Sequence, residues 1–252
     1  MDLNLQGKVV FVTGSTRGIG REIAQGFATE GCIVVVHGRD IDRANLVAAS
    51  IGKNAVAVSG DLCSSEVCHK ILDDIKSQVG GVNGLVCNIG MSSVATSASD
   101  VTGEWHEMLD QNLLCAVNIV DASREELVRQ SGVVTCVSSI CGRAALPGAP
   151  VSYSAAKAAL NAYVRGMARP LGDQGVRINA VAPGNIMFPG SVWEKKIQQD
   201  PDRVDKMLKD QVPLGRFGSP KEIADVIIFL TSDKAAFVTG SLIDADGGQS
   251  GI

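Results

Sequence analysis

Basic residues never gather in this chain. The longest run is the pair Lys195-Lys196, and the formal net charge is −4 over 252 residues. A duplex nucleic acid or an anionic membrane surface calls for a concentrated positive face, so neither is an expected partner. Long apolar runs are missing too, since no stretch approaches the ~20 residues that a bilayer-spanning helix needs. The opening MDLNLQGKVVFVTG has no basic start, no extended apolar segment and no small-residue cleavage site. It reads as a lead-in to a strand rather than a secretion signal, and the expected location is the cytoplasm. Cysteine is present seven times, but the signals of pairing are absent: the number is odd and no C-x-x-C occurs. Three histidines (His37, His69, His106) complete no zinc-like spacing, so no metal is expected. Cys32, Cys87, Cys115 and Cys136 lie in apolar stretches and read as buried free thiols of a reducing compartment. Aromatic residues make up 4%, with two tyrosines in all.

What is present is a rhythm. Hydrophobic residues make up 45% of the chain, enough to bury a large core as one domain spanning 1–252. β-Branched apolar runs recur at 9–12, 33–36, 55–58, 84–87, 133–137, 177–182 and 241–245, with helical patterns between them. Strands that read as continuously apolar, rather than alternating, suit a parallel sheet covered on both faces. The expected fold class is therefore α/β, a single doubly wound, Rossmann-type sheet. The segment 185–219 breaks the rhythm with Pro189, Pro201 and Pro213, and holds the bulky Met187, Phe188 and Trp193 as candidate exposed residues. It reads as a helix-bearing lid. Pro170 predicts a kink or an early end in the helix that follows Tyr153.

Two patterns point to chemistry. The first strand runs directly into TGSTRGIG (13–20), so Gly14, Gly18 and Gly20 follow a strand and open a helix. Glycines let the backbone turn tightly against a pyrophosphate, which the free N–H groups and dipole of the helix then bind. Turns use glycine anyway, so the cluster gains its meaning from this strand–turn–helix order. The second pattern is YSAAK (153–157). Tyr153 and Lys157 share one helical face, among alanines too small to pack with either. Alone, that spacing more often marks a core-edge tyrosine and a solvated lysine. A fixed ammonium nearby is expected to lower the phenol pKa toward working pH.

In chain order, TGSTRGIG, Asp61-Leu62, Asn88-Ile89-Gly90, Asn112, VSS (137–139), YSAAK, Pro183-Gly184 and VTG…DGG (238–248) follow one another. The chain resembles the short-chain dehydrogenase/reductase family, nearest in look to its 3-oxoacyl-(acyl carrier protein) reductase branch. That resemblance implies a catalytic set. Tyr153 is the proton donor and acceptor, Lys157 tunes it and holds the nicotinamide ribose, Ser139 polarises the carbonyl oxygen, and Asn112 anchors a water leading to solvent. It implies a cofactor lined by Gly14, Ser15, Arg17, Gly18, Ile19, Gly20, Arg39, Asp61, Leu62, Asn88, Gly90, Tyr153, Lys157, Pro183, Gly184 and Ile186. An NAD enzyme usually places an acid after its second strand for the adenosine ribose, and that position here is Gly38. With Arg17 and Arg39 nearby, two guanidiniums suit a 2′-phosphate, which favours NADP(H) over NAD(H). Otherwise Arg39 is a solvated charge; Asp40 reads as a helix N-cap in either case.

Departures from the family pattern are visible. Cys87 replaces the first Asn of N-N-A-G, and Phe188 stands where a threonine is frequent. Ser139 and Tyr153 are fourteen positions apart, one more than usual. An extra loop residue near Pro147 to Pro150 absorbs the difference; alternatively, Ser138 takes part.

The expected function is a hydride-transferring oxidoreductase acting on a ketone or secondary alcohol, with a 3-oxoacyl thioester as one candidate. The alternatives are an NAD(H)-preferring alcohol, sugar or steroid dehydrogenase and a non-catalytic NADP-binding regulator. A small, partly apolar substrate is expected, chosen by segments 91–99, 140–152 and 186–212. The resemblance implies a homo-oligomer, a dimer of dimers joined through the helices at 105–128 and 151–169, whose apolar faces suit packing within the chain equally well.

Overall fold

The computed structural model describes residues 2–91, 102–144, 146 and 148–251, with Thr102 and Gly103 as backbone alone. The segment 92–99 and Pro147, to which substrate choice and the extra loop residue were assigned, lie outside the described residues.

Strand β1 (Val9–Val12) is buried at every position, and residues on it alternate between two cores. Val9 and Phe11 join one apolar cluster, Val10 and Val12 the other, as the two-residue period of a strand requires. Around β1 the sheet adds β2 (Ile33–Gly38), β3 (Ala55–Ser59), β4 (Gly84–Cys87), β5 (Val133–Val137), β6 (Arg177–Pro183) and β7 (Leu242–Ala245). The order is β3-β2-β1-β4-β5-β6-β7, and every pairing is parallel. Each run read as a strand in the sequence forms one, within a residue or two at its ends.

Helices cover both faces. On one side lie α1 (Gly18–Thr29), which buries Gly20, Ile23, Ala24 and Phe27, and α9 (Pro220–Thr231) packed against it. Also there is α2 (Ile41–Ile51), capped by Asp40, whose carboxylate accepts the N–H groups of Asp42 and Arg43. The other face carries α3 (Ser65–Val79), α5 (Cys115–Arg129) and α6 (Val151–Gly172). The helix α4 (Thr102–Leu109) leads into α5 through a π-turn at Asp110–Leu114. Phe11 and Phe27 are fully enclosed, and truncating either to alanine is expected to cost about 3–5 kcal/mol.

Two expectations need correcting here. Helix α6 does not stop at Pro170; it runs on to Gly172. Proline forfeits only the bond to the Gly166 carbonyl, and in the last turn little helix remains to be lost. Within 185–219 the chain forms α7 (Val192–Gln199) and α8 (Pro201–Gln211), as a helix-bearing excursion should. Met187, Phe188 and Trp193, however, are half-buried rather than exposed. The exposed large apolar residues include Leu214 within this segment, and Leu46 and Phe237 outside it. All seven cysteines are free thiols, five of them buried. Among the described residues, no helix is long and apolar enough to cross a membrane.

Candidate active site

At the carboxyl ends of the strands, the connections leaving β1 and β4 run to helices on opposite faces of the sheet. A cleft of ≈ 630 Å³ opens there, as the reversal of strand order predicts. A second hollow, ≈ 570 Å³, lies at the other end of the sheet beside Lys8, Arg177 and Phe237. Its charged groups are already used: Lys8 pairs with Asp233, and Arg177 donates to the carbonyls of Leu230, Ser232 and Val238.

The glycine turn forms one wall of the cleft. Gly18 has φ +55°, a left-handed conformation open to glycine, and a Cβ there would meet the Phe188 ring at 2.7 Å. A Cβ on Gly20 would lie 2.4 Å from Asn88 Nδ2 and 2.5 Å from the Gly14 carbonyl oxygen. Asn88 explains that crowding, because its amide donates to the carbonyls of Thr13 and Gly14 at 3.0 and 3.1 Å. The loss of its neighbour to Cys87 is therefore met by a single asparagine that holds β4 to the turn.

His37, which the sequence reading passed over, clamps the same turn from β2. Its Nδ1 accepts the Gly14 N–H at 3.2 Å and its Nε2 donates to the Gly60 carbonyl at 3.1 Å. These partners require the neutral ring. Burial pulls its pKa down to about 4, against the opposing effects of the Gly60 bond and the Asp61 charge. A histidine at the carboxyl end of a strand beside the switch point was the available signal.

At the far end of the cleft stand Tyr153, Lys157 and Ser139. Lys157 is buried, with its Nζ donating to the Val137 carbonyl at 2.9 Å and lying 5.9 Å from the centre of the Tyr153 ring. Burial lowers its ammonium to about 8. Tyr153 keeps a partial opening to the cleft. Desolvation by the packed protein around it nevertheless pushes the phenol up to about 12, with the Ser139 hydrogen bond pulling the other way. The expected lowering by Lys157 is thus not seen in the chain by itself, because the ammonium is turned toward the Val137 carbonyl.

The two serines differ in their partners. Ser138 donates its hydroxyl to Asn161 Oδ1, whereas Ser139 accepts the Cys141 N–H at 3.1 Å and keeps its own proton to give.

Most of the residues named from sequence do line the cleft: Gly14, Arg17, Gly18, Ile19, Gly20, Arg39, Asp61, Leu62, Asn88, Gly90, Ser139, Tyr153, Lys157, Pro183, Gly184 and Ile186. Two do not. Ser15 is fully buried, with its hydroxyl donating to the Val12 carbonyl and accepting the His37 N–H, so it braces the turn from behind. Asn112 is fully buried in the π-turn and acts as a staple. Its Oδ1 accepts the Met91 N–H and its Nδ2 donates to the carbonyls of Met91 and Met108. Its side-chain amide is thus committed at both ends. It does meet the site through Gly90, where a Cβ would lie 3.0 Å from Asn112 Oδ1 and 2.9 Å from Lys157 Nζ. Arg17 and Arg39 are exposed, and among the described residues neither has an ion-pair partner. At Gly38 a Cβ would come within 2.7 Å of the Thr16 methyl, so the β2 end that could carry an acid is also crowded. Cys141, Trp193 and Lys196, from the segments assigned to substrate choice, also line the cleft, as does Gln249, which the sequence reading did not single out.

Comparison with known proteins settles the family. A family model described as enoyl-(acyl carrier protein) reductase matches residues 14–250. The 3-oxoacyl-[acyl-carrier-protein] reductase FabG of Aquifex aeolicus (strain VF5) is 37% identical over 255 residues, covering 99% of this chain and 100% of that protein. The chain belongs to the short-chain dehydrogenase/reductase family. Solved members superpose closely. L-sorbose reductase from Gluconobacter frateurii, complexed with NADPH and L-sorbose, gives a TM-score of 0.93 at 28% identity, with 100% of both chains covered. A 7α-hydroxysteroid dehydrogenase, complexed with NADH and 7-oxo glycochenodeoxycholic acid, gives 0.89 at 29% identity over 98% of this chain and 96% of that one. As a short-chain dehydrogenase/reductase, the protein is an oxidoreductase working between a carbonyl and a CH–OH group with a nicotinamide dinucleotide.

Proposed function

We propose that this enzyme reduces a ketone with NADPH, with 3-oxoacyl thioesters as the leading substrate class. The carrying observation is the shape of one cleft. Tyr153, Lys157 and Ser139 stand at one end, and a glycine turn with two unpaired guanidiniums stands at the other. The dinucleotide fits this wall: its pyrophosphate would lie on the N-terminus of α1, where side chains are absent at Gly18 and Gly20. Arg17 and Arg39 would hold a 2′-phosphate, with no carboxylate at Gly38 to repel it. Asp61 and Leu62 would meet the adenine. Asn88, Gly90, Pro183, Gly184 and Ile186 would line the nicotinamide half. The bridge between Ile186 and Gly218 uses the Asn185 carbonyl and the Met187 N–H, which leaves the Ile186 backbone groups for such a contact. Bound there, the nicotinamide supplies the hydride.

The chain's own residues manage the proton. Tyr153, at about 12, is fully protonated at neutral pH and therefore serves as the acid that gives its phenolic proton to the ketone oxygen. Ser139 donates a second hydrogen bond to the same oxygen as its negative charge grows. Lys157 stabilises the phenolate left behind by its charge. The whole chain acts as one domain, with 185–219 forming the wall over the substrate. It works as a homotetramer built through α4, α5 and α6, where Leu114 and Val151 are exposed apolar residues. The relatives named for 3-oxoacyl-[acyl-carrier-protein] reduction support the thioester class.

A second reading has one observation in its favour: the hydroxysteroid dehydrogenase neighbour was solved with NADH. Spectrophotometric assays of NADPH and NADH oxidation across acyl thioesters, sugars and simple ketones decide between them. Tighter use of NADH would overturn the cofactor assignment, and no turnover of any ketone would overturn the reductase reading.

A further inference from the structure

Charge on the cleft wall is unevenly spread. Arg17, Arg39 and Asp61 belong to the glycine-turn end, and Lys157 is buried against the Val137 carbonyl. One more cation faces the cleft, Lys196 of α7, on the wall that also carries Trp193 and Cys141. Lys206 and Lys221 are each paired with an acid four residues along the helix, Asp210 and Asp225. For Lys196 that place is held by Asp200, whose carboxylate is diverted to cap α8 by accepting the Arg203 N–H at 3.0 Å. Glu194, the nearest other acid on α7, accepts the Gly190 N–H at 2.7 Å. Among the described residues, no carboxylate pairs with Lys196.

Its ammonium is nonetheless held in place. Nζ sits 4.4 Å from the centre of the Trp193 ring, and that ring leans on Phe217 at 5.4 Å. A cation on an aromatic face is positioned while its N–H donors stay available to a ligand. The reacting end is within its field. Burial pushes the Cys141 thiol up, and the Ser139 hydrogen bond with the charges of Lys196 and Lys157 works against that rise. Cys141 lies two residues from Ser139, and its charge is in turn felt at Tyr153.

From this juxtaposition we propose that Lys196 selects ketone substrates carrying a carboxylate a few bonds from the carbonyl, which rests on the ketone-reductase reading above and adds free oxo acids to the thioester class. Lys196 lines the same cleft as Tyr153, Ser139 and Cys141, the last of which donates its backbone N–H to Ser139 Oγ. Its ammonium therefore fits the acid of a short oxo acid better than a phosphate at the far end of a long carrier arm.

Acetoacetate and its ethyl ester differ in that one charge and make the test pair. Lys196→Gln is expected to lower kcat/KM for acetoacetate about tenfold, through KM, and to change the ester less than about twofold. Lys196→Arg restores the acid, and Lys196→Glu inverts the preference. An equal loss on both substrates, or no loss on either, overturns the proposal. Binding gives a readout that does not depend on turnover. In a Trp105→Phe background Trp193 is the remaining indole, and acetoacetate should quench it while the ester does not. The reductase reading fails separately, if wild type turns over no ketone in the wider panel, and this titration still decides the role of Lys196. Quenching that survives Lys196→Gln sinks it.

Discussion

Acidification should loosen this fold through His37 well before its carboxylates titrate. The native ring must stay neutral, because Nδ1 needs its lone pair for the Gly14 N–H while Nε2 donates to Gly60. Its pKa in the fold is about 4 against an ordinary 6.5, with burial as the main cause. The unfolded chain therefore takes up a proton that the native chain refuses. Stability is fully present above pH 6.5, falls as pH drops through that value toward 4, and levels off below it. At about 1.4 kcal/mol per pH unit, moving from pH 6.5 to pH 5 costs about 2 kcal/mol. The carboxylates held low by their partners, Asp233 beside Lys8 and Glu222 beside Arg216, contribute their own losses only at lower pH. Denaturant midpoints measured between pH 7.5 and pH 5 on wild type and His37→Gln isolate the effect, since glutamine can accept from Gly14 and donate to Gly60 without titrating. The variant should be the less pH-sensitive of the two by about 2 kcal/mol over that range. Parallel curves would refute the buried, neutral His37.

Tyr153→Phe should lower turnover by about 10²–10⁴-fold while leaving NADPH binding intact, as read by steady-state kinetics beside a fluorescence titration. Ser139→Ala should cost about 10²-fold in kcat; Ser138→Ala, whose lost partner is Asn161, should act mainly on thermal stability. Arg39→Asp should weaken NADPH about tenfold or more and favour NADH, measured by paired cofactor titrations in low and high salt, since these exposed charges are screened. Gly18→Ala should destabilise by about 1–2 kcal/mol from its positive φ and weaken both cofactors, because the new methyl strikes the Phe188 ring.

Much of the architecture was legible because buried parallel strands are written as unbroken apolar runs. VVFV, GLVC and VVTCV can hardly be anything else between turn signals. The cleft was legible where motifs sit at strand ends, which is where a parallel sheet puts its chemistry. What stayed hidden depends on packing at a distance. Ser15 and Asn112 sit inside functional motifs yet face inward, and only the placement of Val12, His37 and Met91 shows where their hydrogen bonds go. His37 looked like one more residue of a strand until Gly14 and Gly60 flanked it. Pro170 was misjudged because a proline's penalty scales with how much helix remains beyond it. Lys196 was invisible since its role turns on Asp200 being occupied elsewhere, a matter of α8 rather than of α7.

One consequence of the fork beside β1 concerns measurement. A dinucleotide lying across that fork would touch loops from both halves of the sheet, so its binding energy is felt by the folded state as a whole. At a hundred times its dissociation constant a ligand adds about 2.7 kcal/mol to stability, a clear rise in melting temperature for a chain of this size. Melting curves recorded with each dinucleotide in turn would rank the two cofactors before a single substrate is known.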